Sequence, residues 1–570
     1  MARIADGATG RGDSLSNRMN EPASVTKDIR PWAALYALAL LRFSWQGLQY
    51  SPLLDDWIQY HNYARLMGGL RGAVSQLGLL AARPVAGVLD VALWSRFWGR
   101  LFWAVALLAA LFTLSAWCFT RLFRRLFGFS SLVFPIVYLL IPVNFEATYW
   151  LSAATRVIPS LLIAALCGMQ THRAVRRGRA LLLLPATLCC LLAACFYEQG
   201  FVLAAALMAL IGLFWSRDKW IRLGSVVLPC TAYSMYAAMT AAAGPSALYR
   251  SRGALYLPFV SEGYFDAHLP ELLSQLAAVL KGIPSLTLRA FIRGIPMAVL
   301  RPIPLFLAIC LIGVVAVFCK PDRHQEEDPP LLLSCLFALA LMAAAFAPFF
   351  VVAPPWVGLR ALGCCLPGIA LLAASMVQMI PPFAYRWMAA LAAGVFMVAS
   401  ASELHDYRAT AQWDADVVRA IGEAHERYRY DRQEAVAVLG LMPSHLTAQN
   451  YEWHEHIHGV TESRWALTGA LRAHMRDLDV PVVTPLYEGR VYGEYADLTQ
   501  YTSFLLFAQT EGAAAALHVY RADRAGQPSF YSPYSVTGRP VADIYEMHDG
   551  THLVLYHDEI EALLASGGIP

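Results

Sequence analysis

Charge is scarce in this chain. Of 570 residues only 15% are Asp, Glu, Lys or Arg, whereas 58% are hydrophobic, and the mean hydropathy is +0.46. Soluble domains carry about 25% charged and roughly 45–50% apolar residues. An ordinary water-facing globule is therefore excluded, and most of the chain is expected to face lipid. Basic excess is missing too: the formal net charge is +3, which leaves no case for nucleic acid as a partner. Cysteine is absent after Cys365, and all 11 cysteines lie between Cys118 and Cys365 within apolar runs, so a disulfide-stapled secreted scaffold is excluded. No internal repeat supports an inverted-repeat transporter.

What is present is a succession of apolar runs. Residues 1–30 are polar, carry Arg3, Arg11, Arg18, Lys27 and Arg30, and read as a disordered cytoplasmic tail. The first apolar run shows no small-residue cleavage site, so it is expected to be a membrane span and not a leader. A helical span needs roughly 17–25 mostly apolar residues. By that measure the chain offers about eleven transmembrane helices, at 31–51, 100–119, 129–145, 155–171, 180–197, 200–215, 223–243, 302–319, 331–350, 361–380 and 385–402.

Basic residues between the runs set an orientation. Arg121, Arg124 and Arg125 follow the second run, Arg173, Arg176, Arg177 and Arg179 the fourth, Arg217, Lys219 and Arg222 the sixth, and Lys320 and Arg323 the eighth. The alternate connections carry little beyond Arg156 and Arg360. The even-numbered exits are thus expected in the cytoplasm and the C-terminus outside. Within the membrane domain, 31–402, the long outer loops 52–99 and 244–301 are rich in aromatics and leucine, which predicts amphipathic helices on the membrane.

Residues 403–570 change character. Eleven of the 15 histidines lie there, from His405 onward, and charge is denser. The pattern predicts an opening helix to about Arg432, strands at 435–441, 481–486, 514–520 and 552–556, and a helix at 463–478, which together make a soluble periplasmic α/β domain. This segment has neither a glycine-rich phosphate loop nor a nucleophile elbow.

Candidate chemistry gathers on the predicted outer side. The first outer loop opens with Leu53-Leu54-Asp55-Asp56-Trp57, an acidic pair beside the membrane, where carboxylates are costly and usually purposeful. The plainer reading is solvated loop charge, or a helix start where acids suit the macrodipole. Arg83-Pro84 follows in the same loop and could aim a guanidinium at a phosphate. Later outer ends carry Glu146, Tyr149 and Trp150, then Arg156, then Tyr197 and Glu198, and finally Arg360. Arg42 sits inside the first run, free to snorkel outward, pair with a carboxylate or meet a lipid phosphate. His454, His456 and His458 alternate along one predicted strand face, a spacing that suits a metal but is commoner in solvated loops.

This arrangement resembles the GT-C superfamily of integral-membrane glycosyltransferases, in particular the bacterial branch that decorates envelope polysaccharides and lipids. The likeness rests on the eleven or so spans, the Asp55-Asp56 pair in the first outer loop, Arg83-Pro84 later in it, and a C-terminal outer domain. It implies a bacterial inner-membrane enzyme that moves a sugar from a polyprenyl-phosphate donor to a cell-envelope glycan or glycolipid on the periplasmic face. An acid of the first loop then serves as base or holds a divalent cation. On this reading Asp55 and Asp56 are catalytic, and Arg83, Arg156 and Arg360 steady the lipid phosphate. Glu146 and Glu198 bond sugar hydroxyls, while Tyr149, Trp150 and Tyr197 stack on sugar rings. The competing classes are a transporter or flippase of lipid-linked saccharides, a polysaccharide polymerase or ligase, and a non-catalytic scaffold.

Overall fold

The computed structural model describes residues 28–77, 83–128, 132–242, 254–319, 331–439, 441, 444, 457–485, 501–510, 513–522, 528–529, 543–546 and 552–555. Nearly all of the expected N-terminal tail, together with His454 and His456, lies outside them. Helices dominate: α1 (Arg30–Ser44), α2 (Gly69–Leu77), α3 (Pro84–Ala92), α4 (Leu101–Phe127), α5 (Val133–Leu140), α6 (Leu151–Arg177), α7 (Leu184–Phe196), α8 (Glu198–Trp215), α9 (Lys219–Ala242), α10 (Leu269–Val299), α11 (Pro302–Phe318), α12 (Leu331–Phe346), α13 (Leu366–Val377), α14 (Pro382–Tyr428) and α15 (Arg464–Met475).

Five helical segments are long and apolar enough to cross a membrane: Leu101–Phe127, Leu151–Arg177, Glu198–Trp215, Leu331–Phe350 and Phe383–Tyr428. A sixth arises if Tyr264–Val299 and Pro302–Phe318, bent by 116°, count as one. The chain is a helical, polytopic membrane protein. Every one of the eleven apolar runs contains a helix, but several are shorter or broken. The first stops at Ser44 instead of 51. The fourth starts at Leu151, four residues early, which places Arg156 in the second turn of the helix instead of at its start.

The reason for one break is local. Pro142 has no N–H to continue the ladder, so the run expected over 129–145 ends as α5 and resumes as short turns over 142–148. The carbonyls left over are buried and need donors. Arg42 supplies them: its guanidinium donates to the Leu139 carbonyl at 2.7 Å and the Ile141 carbonyl at 3.1 Å, and also to the Asn144 side chain. It lies 4.3 Å from the Phe145 ring centroid. Arg42 is therefore a buried cap that neither snorkels nor reaches toward a lipid phosphate.

Packing follows the apolar faces. Phe112, Phe119 and Phe123 of α4 interlock with Phe134 and Tyr138 of α5, while Trp103, Leu107 and Leu114 on the far face of α4 stay exposed. An outward apolar face of this kind is what lipid contact demands. The segment 244–301 contributes α10, whose 31 residues pack along α14.

Beyond the bundle stands a five-stranded sheet of β1 (Ala435–Leu439), β2 (Val482–Pro485), β3 (Ser503–Thr510), β4 (Ala513–Ala522) and β5 (Pro528–Ser529), in the order β2-β1-β3-β4-β5. β1 pairs in parallel with β2 and β3, and β3 pairs antiparallel with β4. A two-stranded hairpin, Asp543–Glu546 with His552–Leu555, stands apart. Val436, Val438, Val483 and Leu505 of the sheet close a core with Leu467 and Leu471 of α15 and with Val417 and Ile421 of α14. α14 is one helix of 47 residues, about 70 Å at 1.5 Å per residue, and joins bundle to sheet without interruption. The strand over 503–510 lies where the sequence pattern predicts none.

Candidate functional site

The acidic pair sits where the bundle meets the sheet. Asp55 and Asp56 are sequence neighbours with opposite fates, because adjacent residues on a winding backbone diverge by about 100°. Asp56 is fully buried. Its Oδ2 accepts from the Tyr50 hydroxyl at 2.9 Å and the Leu53 N–H at 3.0 Å, and its Oδ1 from the Ser152 N–H at 2.7 Å. Tyr50 in turn accepts the Leu151 N–H at 2.7 Å. Together they satisfy two of the first N–H groups of α6, which have no partner within the helix itself. Burial pushes the Asp56 carboxyl up to about 7 against the opposing pull of these hydrogen bonds.

Asp55 is only partly buried, and its Oδ1 accepts a hydrogen bond from the Trp465 indole at 2.8 Å. After the pair the chain winds as a π-type helix, Trp57–Leu66, a form found mostly as single turns near functional sites. Nothing in the sequence marks that winding. A divalent cation, the alternative to a general base, does not fit at Asp55 and Asp56: the two carboxylates serve different partners, and both oxygens of Asp56 are already engaged. Among the described residues no three His, Cys, Asp or Glu side chains converge as a metal site.

The other expected site residues group at the same end, where α6, α8 and the turn Leu359–Gly363 begin. Arg83 clamps Glu198 through Nε at 3.1 and 3.0 Å and through its terminal nitrogen at 2.7 Å, and its guanidinium covers the Tyr197 ring at 4.8 Å. Glu198 has no cation close to it along the chain, and a residue 115 positions away supplies one. Arg83 holds a left-handed backbone, φ +47°, directly before Pro84, a conformation that costs on the order of 1–3 kcal/mol and persists only where its surroundings enforce it.

Glu146 accepts the Arg360 N–H at 2.9 Å and stands 3.9 Å from the Arg360 Nε. Arg360 covers the Trp150 ring at 5.0 Å, and its side chain is 36% exposed. His458 reaches this group from the far side, with Nε2 3.8 Å from Glu146 Oε1 and its ring 5.4 Å from that of Trp150. Burial disfavours the charged imidazole, but the adjoining Glu146 carboxylate outweighs it and raises the His458 pKa above the ordinary value.

Four of the expected site residues are held inside the fold. Arg156 does not stand ready for a phosphate: it is buried, donates to Asp90 at 2.5 Å and bonds the Ser152 carbonyl at 2.5 Å. Burial raises the Asp90 carboxyl above its usual range although Arg156 pulls the other way. Tyr149 is not a sugar platform, being enclosed by Phe43, Tyr50, Phe145 and Tyr407. Trp150 and Glu146 are likewise walled in, at 3% and 4% exposure. Neither of the two cavities described here unites the acidic pair with the arginines. One, about 50 Å³, lies among Gln46, Gln49, Ser51, Leu53, Tyr149 and Tyr407, and the other, about 480 Å³, lies between α1 and α4.

The residues that sequence reasoning missed come from the tail. Asp414 of α14 accepts from the Ser444 hydroxyl at 2.7 Å and the Val460 N–H at 3.0 Å. Ser463 caps α15 by accepting the Ala466 N–H at 3.3 Å. Residues 457–465 are thereby pinned so that His458 and Trp465 meet the bundle. A search of protein families finds none that matches this chain, and no curated protein matches it either.

Proposed function

We propose that this protein is a GT-C-like glycosyltransferase of the bacterial inner membrane, with about eleven spans, a cytoplasmic N-terminus and a periplasmic α/β domain. The observation that carries the reading is Asp55, a partly exposed carboxylate at the bundle–sheet junction, with the partly exposed Arg360 and the clamped Arg83 at the same end. The arginine-rich ends of α4 and α6, with Arg124, Arg125, Arg176 and Arg177, point the other way, as a cytoplasmic face would.

A polyprenyl-phosphate sugar is already activated, so no nucleotide fold is required. Asp55 takes the proton of the acceptor hydroxyl while the acceptor oxygen bonds the sugar's anomeric carbon. The bond from that carbon to the phosphate oxygen breaks, and the lipid phosphate leaves with the electron pair, steadied by Arg360 and Arg83. Asp56 holds the scaffold and does not react. The acceptor is a cell-envelope glycan or glycolipid.

The test compares envelope glycans and glycolipids, by mass spectrometry, from cells with and without the protein, and then measures transfer with the acceptor so identified. Asp55→Asn is expected to abolish the product with expression retained, since general-base help is worth typically about 10²–10⁴-fold. Asp56→Asn is expected to keep at least a tenth of it. A cysteine introduced at the exposed Asp479 must label from the periplasmic side. Normal transfer by Asp55→Asn removes the catalytic assignment, and cytoplasmic labelling ends the reading.

A further inference from the structure

The tail supplies a side chain that the site as drawn from the bundle lacks. Among the described residues beyond α14, the large apolar side chains that stay exposed are Trp465 and Val482. Val482 belongs to the edge strand β2, where exposure is ordinary. Trp465 is different. It is 50% exposed at the first turn of α15, and its indole N–H is committed to Asp55 at 2.8 Å. An exposed tryptophan usually samples several rotamers. This one is tethered by the polar edge of its ring, which leaves an apolar face open to water beside the carboxylate.

That pairing has a chemical meaning. A pyranose presents a patch of C–H groups on one face and hydroxyls around its rim. An indole plane packs against such a patch, and its amphipathic character suits a surface that is apolar at one end and wet at the other. A carboxylate at the edge of the ring accepts from a rim hydroxyl. Among the described residues only the indole bonds the Asp55 side chain, and it occupies Oδ1, leaving Oδ2 for that hydroxyl.

We propose that Trp465 is the platform on which the acceptor saccharide lies, so that the tail domain completes the acceptor half of the site. This rests on the glycosyltransferase reading above. The acceptor is accordingly a saccharide that presents an unsubstituted pyranose face at the reacting residue, and Trp465 fixes which hydroxyl meets Asp55.

Two substitutions in the full chain separate platform from tether. Trp465→Phe keeps an aromatic face and loses the N–H, whereas Trp465→Gln keeps a donor for Asp55 and loses the face. With the acceptor identified from the envelope comparison as probe, Trp465→Gln is expected to raise the acceptor KM tenfold or more and leave the donor KM unchanged. Trp465→Phe is expected to hold the acceptor KM within about threefold. The reverse pattern, a kcat loss in Trp465→Phe with no KM effect in Trp465→Gln, reduces Trp465 to a positioning residue and overturns the proposal. So does an unchanged acceptor KM in both. A wild-type protein that transfers no sugar is a separate result, which removes the glycosyltransferase reading itself.

Discussion

The pair Arg156–Asp90 decides between two roles for the fourth run's arginine. Both side chains are nearly inaccessible, at 8% and 3%, and meet at 2.5 Å, while Tyr60 and Thr155 share a hydrogen bond of 2.9 Å beside them. Removing one partner strands the other charge in a place without water, which typically costs about 3–5 kcal/mol. Arg156→Met and Asp90→Leu should each therefore destabilise by about that amount. Replacing both together removes the stranded charge, and such swaps are often neutral or stabilising by about 1–4 kcal/mol. The raised Asp90 carboxyl points the same way, since burial outweighs the attraction of Arg156. A double-mutant cycle by denaturation of the detergent-solubilised protein should hence return a large coupling, beyond the 0.5–3 kcal/mol or so usual for touching residues. On the proposed function, the double variant should also transfer sugar at close to the normal rate. Single substitutions costing under about 1 kcal/mol, or a stable double variant that has lost donor binding, would refute the structural role and return Arg156 to the phosphate.

Other outcomes follow from the same structure. Because the Asp56 carboxyl is raised to about 7 in the folded protein, its protonation stabilises the fold fully below about pH 4 and the benefit is lost as pH rises through about 7; melting temperature against pH should show that slope in wild type and a flatter one in Asp56→Asn. His458 has the raised-imidazole sign: its hold on Glu146 is complete below about pH 6.5 and is lost as pH rises through the higher folded value, so hydrogen-exchange protection over 457–475, taken relative to the intrinsic rate at each pH, should fall with rising pH in wild type and stay level in His458→Gln. Arg83→Lys cannot make the fork onto Glu198; with Glu198 42% exposed, stability should change by under about 1 kcal/mol, while donor KM rises severalfold in transfer assays.

The helices and the site were legible to different degrees. The eleven apolar runs all contain helix because long apolar stretches have few other solutions in lipid. Their ends were harder to place: Pro142 could be seen in the sequence, but not that Arg42, almost a hundred residues earlier, would cap the break it makes. The concentration of polar residues at one end was readable from their positions in the runs. Their pairing was not, since Arg83–Glu198, Asp90–Arg156 and Asp56–Ser152 join residues 115, 66 and 96 apart, and periodicity reports only which face is buried. Tyr149 and Trp150 illustrate the limit: an aromatic at a span end has the same sequence signature whether it is walled in or open to a ligand.

The bond between Asp55 and Trp465 spans 410 residues, and that separation has a consequence in time. At about 5–20 residues per second of synthesis, roughly 20–80 s pass between the ribosome's delivery of one partner and the other. Through that interval the bundle can insert and pack, but its proposed base has no indole to hold it. The indole partner arrives only after the bundle helices have been made, and a chain terminated before Trp465 carries the acidic pair without its covering helix. Synthesis itself thus leaves every copy cut short before Trp465 without the Asp55–Trp465 contact.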